Sequence, residues 1–320
     1  MAEERVRTGA PAFSWRDWWD KAGMLVVFVL LFAGLSLKVP NFLTWQNMIG
    51  LSLSVSTVGM VACTMLFCLA SGDFDISVES TVAFGGVLAA VVITSTGSVL
   101  LGVGAGVAAG ALVGLANGTI IAKLGINALI TTLATMQIVR GLCFIVSGGS
   151  AVSVARESFY TLGNGTMLDV PYPIWLTLTS FVVYGVILNR TTFGRNTLAI
   201  GGNKEAALLA GIPVARTKIV IFALQGAMAA FAGVVLASQM TSGQPNSSQG
   251  FSLDVISACV LGGVSLAGGV GTISGTIAGV LIMGTVQNVM SLQNVDTFYQ
   301  YVARGGILLA AVLFDQLKKR

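Results

Sequence analysis

Leu51-Ser-Leu-Ser-Val-Ser-Thr-Val-Gly-Met-Val-Ala-Cys-Thr-Met-Leu-Phe-Cys-Leu-Ala70 is an apolar run of bilayer length without a single charged residue. At the helical rise, about 20 such residues cross the hydrocarbon core of a membrane. The run stops on Ser71-Gly72-Asp73-Phe74-Asp75-Ile76-Ser77-Val78, where acidic residues intervene before apolar sequence resumes. The same alternation continues along the chain, with apolar stretches at 22–37, 51–70, 77–94, 98–122 and 127–146, then at 173–189, 218–238, 253–267, 271–291 and 298–315. The expectation is an all-α polytopic membrane protein of about ten transmembrane helices. Asp75, Glu79 and Asp254 interrupt or flank the third and eighth stretches, and Gly262 and Gly263 break the eighth.

Composition supports lipid as the solvent: 55% of the 320 residues are hydrophobic and 9% are charged, against about a quarter charged in a soluble domain. The first apolar stretch follows a polar segment and lacks a small-residue cleavage site, so it reads as a retained helix. Cys63, Cys68, Cys143 and Cys259 all lie in apolar stretches without paired spacing and read as small packing residues, with no metal site implied. The chain has no histidine, which removes the commonest general base and metal ligand, and no nucleophile-base pair stands in its place, so no catalytic residue is assigned. No lysine follows a glycine, so there is no phosphate-binding G-K-S/T loop and any ATP must be hydrolysed by a partner.

Basic residues accumulate on the cytoplasmic side of bacterial membrane proteins. With ten spans and the N-terminus inside, Arg5, Arg7, Arg16, Lys21, Lys123, Arg190, Arg195, Lys204, Arg216, Lys218, Lys318, Lys319 and Arg320 are cytoplasmic, and only Lys38 and Arg156 are outside. Both termini are thus expected in the cytoplasm. The net charge of +4 follows from topology and not from nucleic-acid binding, since the cations are scattered over loops without interleaved aromatics. Trp15, Trp18, Trp19, Trp45 and Trp175 fall at expected membrane interfaces.

Three markers recur in the same order in both halves: Asp75 and Asp254, then glycine ladders, then an Arg-Gly pair. The ladders are Gly102, Gly106, Gly110, Gly114, Gly118 and Gly271, Gly275, Gly279; the pairs are Arg140-Gly141 and Arg304-Gly305. Five spans separate the copies, so two inverted five-helix repeats are expected. Spacing four puts each ladder on one helix face, where a neighbour can approach closely. An arginine in the bilayer costs at least about 2.5 to 3.5 kcal/mol unless it is met. Arg140 and Arg304 are therefore expected to meet Asp75, Asp254 or a helix C-terminus.

The cytoplasmic stretch 190–217 contains Asn203-Lys204-Glu205-Ala206-Ala207-Leu208-Leu209-Ala210-Gly211-Ile212-Pro213. Asn203 suits an N-cap, Gly211 a C-terminal cap, and Pro213 blocks continuation, so a helix of about two turns is expected. Too short to be stable alone, it should rest on neighbouring structure or on another protein.

Glu205-Ala206-Ala207 followed by Gly211 is similar to the E-A-A-x-x-x-G signature of ABC importer permeases. Together with 71–78 and Cys259-Val-Leu-Gly-Gly-Val-Ser-Leu-Ala-Gly-Gly269, it makes the chain resemble, over essentially its whole length, the sugar permeases of ribose, xylose, galactose and arabinose ABC importers. The stretches 59–63, 127–141 and 240–245 narrow the likeness to the L-arabinose permeases. Glu79 departs from the family, which commonly has a small residue there.

The resemblance implies a multi-pass protein of the bacterial inner membrane. It implies a dimer with a second copy of this chain, a periplasmic sugar-binding protein, and a cytoplasmic ATPase subunit with two nucleotide-binding halves, which would hold the ATP and Mg; this chain itself would bind no cofactor. Asn203, Glu205, Ala206, Ala207 and Gly211 would couple to that ATPase. Residues 1–21 would be a cytoplasmic segment, 22–315 the transmembrane domain and 316–320 a cytoplasmic tail. Asp73, Phe74, Asp75, Asp254, Phe251 and Asn246 are candidates to line the sugar path; alternatively, Asp75 and Asp254 cap the broken helices through backbone N–H groups. Other readings are a permease for another pentose or hexose, or an ion-coupled secondary sugar transporter.

Overall fold

The computed structural model describes residues 15–318, with side chains from 23 to 313. The basic residues Arg5, Arg7, Arg16, Lys21, Lys318, Lys319 and Arg320, and the interfacial placement of Trp15, Trp18 and Trp19, lie outside the described residues or side chains. The described chain is helical almost throughout, and each of the ten apolar stretches contains a helix: α1 (Trp15–Lys38), α2 (Trp45–Ala70), α3 (Val78–Thr96), α4 (Val99–Leu124), α5 (Ala128–Ser147), α7 (Tyr172–Arg190), α10 (Val214–Gln239), α11 (Phe251–Leu261), α12 (Ile273–Leu292) and α13 (Thr297–Lys318). Seven of them, α2, α3, α4, α5, α7, α10 and α12, are long and apolar enough to cross a membrane. The apolar parts of α1, α11 and α13 are shorter.

Three further helices lie between spans: α6 (Glu157–Asn164), α8 (Thr192–Gly202) and α9 (Lys204–Leu209). Among the described residues the only β structure is two short antiparallel pairings, one of which joins Val152–Ser153 to Ser242–Gly243.

The core forms around α2, which is buried over most of its length, and α10, which packs on α4, α3 and α2. Helix α4 shows how the glycine ladder works. A methyl group at Gly110 would overlap the Gly226 carbonyl and Ala230, and one at Gly114 would overlap the Phe222 carbonyl of α10. The backbones are in contact because side chains are absent. Higher on α4, Gly102 and Gly106 face Ala89, Ile93 and Gly85 of α3. In the second half, Gly275 and Gly279 of α12 lie against Gly262 and Ala258 of α11, whereas Gly271 precedes α12 and makes ordinary contacts.

Candidate functional site

In the connection 71–77 between α2 and α3, Ser71, Asp73, Asp75 and Ser77 are buried. Gly72 turns the chain out of α2 with φ +81°, a conformation open to glycine at little cost. Asp73 then forms an ion pair with Lys218 near the start of α10, Oδ2 to Nζ 2.7 Å. Lys218, expected among the cytoplasmic cations, lies within α10 and is buried in this contact.

Asp75 accepts hydrogen bonds from the Ser77 backbone N–H (2.9 Å) and hydroxyl (2.6 Å). Ser77 precedes α3, so these bonds form a turn at its entrance and do not reach the N–H groups of the helix itself. The Ser77 hydroxyl accepts from Asn117 Nδ2 of α4 at 3.0 Å, and Asn117 Oδ1 accepts from the Thr135 hydroxyl of α5 at 2.6 Å. Asp75, Ser77 and Asn117 are all at most 1% exposed, so this chain of bonds is a closed polar seam through three elements. Burial pushes the Asp75 carboxyl up to about 6, against the lowering effect of the two Ser77 hydrogen bonds.

The two intramembrane arginines are both met. Arg304 of α13 pairs with Asp254 in the first turn of α11 at 3.1 Å, and its guanidinium lies 5.6 Å from the centre of the Tyr301 ring. Arg140 of α5 does not meet Asp75 or Asp254. It donates to the carbonyls of Pro245 (2.6 Å) and Ser247 (3.1 Å) and approaches Glu79 at 3.8 Å. Glu79 Oε2 in turn accepts from Gly250 N–H (3.0 Å) and the Ser252 hydroxyl (3.3 Å) at the start of α11. Asp75 bonds Ser77 through Oδ1. Nothing in the spacing of Glu79 gave this pairing away; its acidity one residue into an apolar stretch was the only signal.

Of the remaining path candidates, Phe74 and Phe251 pack with the main hydrophobic cluster, and Asn246 is exposed on the segment held by Arg140. Asp73, Phe74 and Asp75 belong to the α2–α3 connection, Asn246 to the approach to α11, and Phe251 and Asp254 to the first turn of α11.

The helix expected at 204–210 is α9. The Asn203 side chain accepts from Ala206 N–H at 2.9 Å and Gly211 ends the turn at φ +78°. Ala207 is buried with Ile200 and Val214, while Lys204, Glu205, Ala206, Leu208 and Leu209 are accessible. Leu209 is 91% exposed. Helix α8, which sequence did not foresee, braces α9 from behind. A methyl group at Gly201 would overlap the Ala70 carbonyl at the end of α2, and Gly269 N–H, in the α11–α12 turn, donates to that same carbonyl at 2.9 Å. α9 is thus fixed on its inner side and free on its outer side.

Comparison with known proteins identifies the family. The family model described as branched-chain amino acid transport system, permease component, matches residues 47–312. The L-arabinose transport system permease protein AraH of Escherichia coli is 61% identical over 315 residues, covering 98% of this chain and 96% of that protein. The L-arabinose ABC transporter permease protein AraH of Azospirillum brasilense is 59% identical over 300 residues, covering 94% and 88%. The ribose import permease protein RbsC of Bacillus subtilis is 38% identical over 320 residues, covering 99% of each. No solved structure matches the chain. A helical membrane protein matched over most of its length by this model, and over nearly all of it by these permeases, the chain belongs to the family of transport-system permease components and is a transporter subunit, not an enzyme.

Proposed function

We propose that this chain is the membrane-spanning permease of a binding-protein-dependent ABC importer that moves L-arabinose into the cytoplasm. The observation that carries the reading is the 61% identity, over nearly the full length of both chains, to an L-arabinose permease; the ribose permease stands much further off at 38%. The chain sits in the bacterial inner membrane with ten spans and both termini inside, and works as a homodimer. A periplasmic binding protein delivers the sugar. A separate ATPase with two nucleotide-binding halves holds ATP and Mg, and docks on α9 through Glu205, Ala206 and the exposed leucines, with Asn203, Ala207 and Gly211 holding the helix in shape. The domain limits are 1–21, 22–315 with the coupling loop 190–217, and 316–320.

Two inverted halves are supported by a paired geometry. α2 and α10 are each 26 residues long, and each leads through an irregular connection to a helix with an acid in its first turn, Glu79 in α3 and Asp254 in α11. Each acid meets the arginine of a later helix, Arg140 in α5 and Arg304 in α13. By this pairing the counterpart of Asp254 is Glu79, and not Asp75. Asp73, Asp75, Phe74, Phe251, Asn246 and Asp254 belong to the two connections that meet the path, where they shape its walls more than they grip sugar; selectivity then resides in the binding protein.

The test is uptake of labelled L-arabinose by proteoliposomes holding this chain, its ATPase and its binding protein. Uptake is expected only with ATP and binding protein present. Uptake without the ATPase that collapses with a proton or sodium gradient would establish the ion-coupled alternative instead.

A further inference from the structure

Helix α11 begins at Gly250, whose φ is +76° and which has no side chain to cap the helix. Its cap comes from another helix: the Glu79 carboxylate of α3 takes the Gly250 N–H and the Ser252 hydroxyl. An anion there also opposes the positive ends of both α3 and α11, in whose first turns these groups lie. On the other side, Arg140 holds the same segment by two backbone carbonyls, Pro245 and Ser247. The residues between, Asn246 to Gln249, are thus strapped at both ends by one acid and one base, both about 15% exposed. The clasp is uneven. Arg140 grips the carbonyls at hydrogen-bond distance, whereas its approach to Glu79 is 3.8 Å, and its Nη2 has no hydrogen-bond partner among the described residues. The corresponding pair, Arg304 with Asp254, has direct contact at 3.1 Å.

We infer that Glu79 and Arg140 are positioning residues for transport, clasping segment 245–250 in one state and releasing it in another. The inference rests on the permease reading, since only a protein alternating between states needs a releasable clasp.

The experiment uses the assembled importer in proteoliposomes with Ser247→Cys as reporter. The Ser247 carbonyl and not its side chain meets Arg140, and the four native cysteines are buried. Labelling by a membrane-impermeant maleimide is expected to be slow in the resting complex and to change with ATP binding. With Glu79→Gln, labelling should be about tenfold faster and independent of nucleotide, and ATP-driven uptake should fall by a similar factor while the ATPase remains bound. Should Glu79→Gln fail to insert, the neutral pair Glu79→Gln with Arg140→Gln leaves no lone charge and should give the same two readouts; Glu79→Asp should restore part of the nucleotide dependence. Labelling at the parental rate in these variants, or fast labelling with normal uptake, overturns the inference. If the parental chain takes up no L-arabinose in the same assembly, the permease reading fails, and the resting labelling rates of the reporter still report on the clasp.

Discussion

Asp73 Oδ2 and Lys218 Nζ lie 2.7 Å apart with both side chains only 10% exposed, so an ion pair fastens the α2–α3 connection to the foot of α10. Removing one partner leaves a lone buried charge, which costs about 3 to 5 kcal/mol. Asp73→Asn and Lys218→Met are each expected to lower thermal stability in detergent sharply. The double variant should recover most of the loss, as a double-mutant cycle on the melting curves will show.

Helix α4 gives a sharper contrast between neighbouring glycines. Gly114→Val should abolish the monodisperse peak in size-exclusion chromatography, because its side chain must displace the Phe222 carbonyl of α10. Gly104→Ala meets nothing within 4 Å and should behave as the parent. Equal tolerance at both positions would contradict backbone contact between α4 and α10.

Asp75 yields a pH dependence whose sign is fixed by its environment. Its folded-state pKa of about 6 lies above the ordinary 3.8, so the fold prefers the protonated acid. The penalty is absent below pH 3.8, grows between 3.8 and 6, and is complete above 6, where it amounts to about 3 kcal/mol. Asp75→Asn keeps an oxygen for the two Ser77 bonds. It should stabilise the protein at pH 8 and do much less at pH 5, measured as the difference in melting temperature from the parent.

The docking role proposed for α9 is tested at its cap and its tip. Asn203→Ala removes the bond to Ala206 N–H, costs the helix about 1 kcal/mol, and should weaken co-purification of the ATPase. Glu205→Arg and Gly211→Arg should abolish it while membrane insertion persists. Full association by both arginine variants would remove α9 from the docking surface.

Much of this was legible in sequence for a simple reason: lipid demands long uncharged runs, and lengths and positions of helices follow from where charge interrupts them. Asn203 and Gly211 likewise announced α9, because caps act within a few residues of the chain. What stayed hidden was long-range. Glu79 lies 61 residues from Arg140 and 171 from Gly250, and no local pattern distinguishes it from Asp75 as the partner. Asp75 bonds Ser77, two residues away, and Glu79 is the acid that Arg140 approaches. Lys218 looked like any loop cation until α10 began four residues earlier, at Val214. Helix α8 was invisible because its two terminal glycines, Gly201 and Gly202, read as a loop, although Gly201 is there to let the chain touch Ala70.

That contact at Gly201 has a mechanical consequence. The end of α8 meets the end of α2 and the α11–α12 turn as backbone against backbone, with no long side chain there to flex and take up slack, while Ala207 of α9 packs on Ile200 of α8. On the permease reading, a partner that displaces α9 moves α8 and both of these contacts in the same stroke, and the stiffness of that joint, more than the strength of docking, sets how faithfully the one event becomes the other.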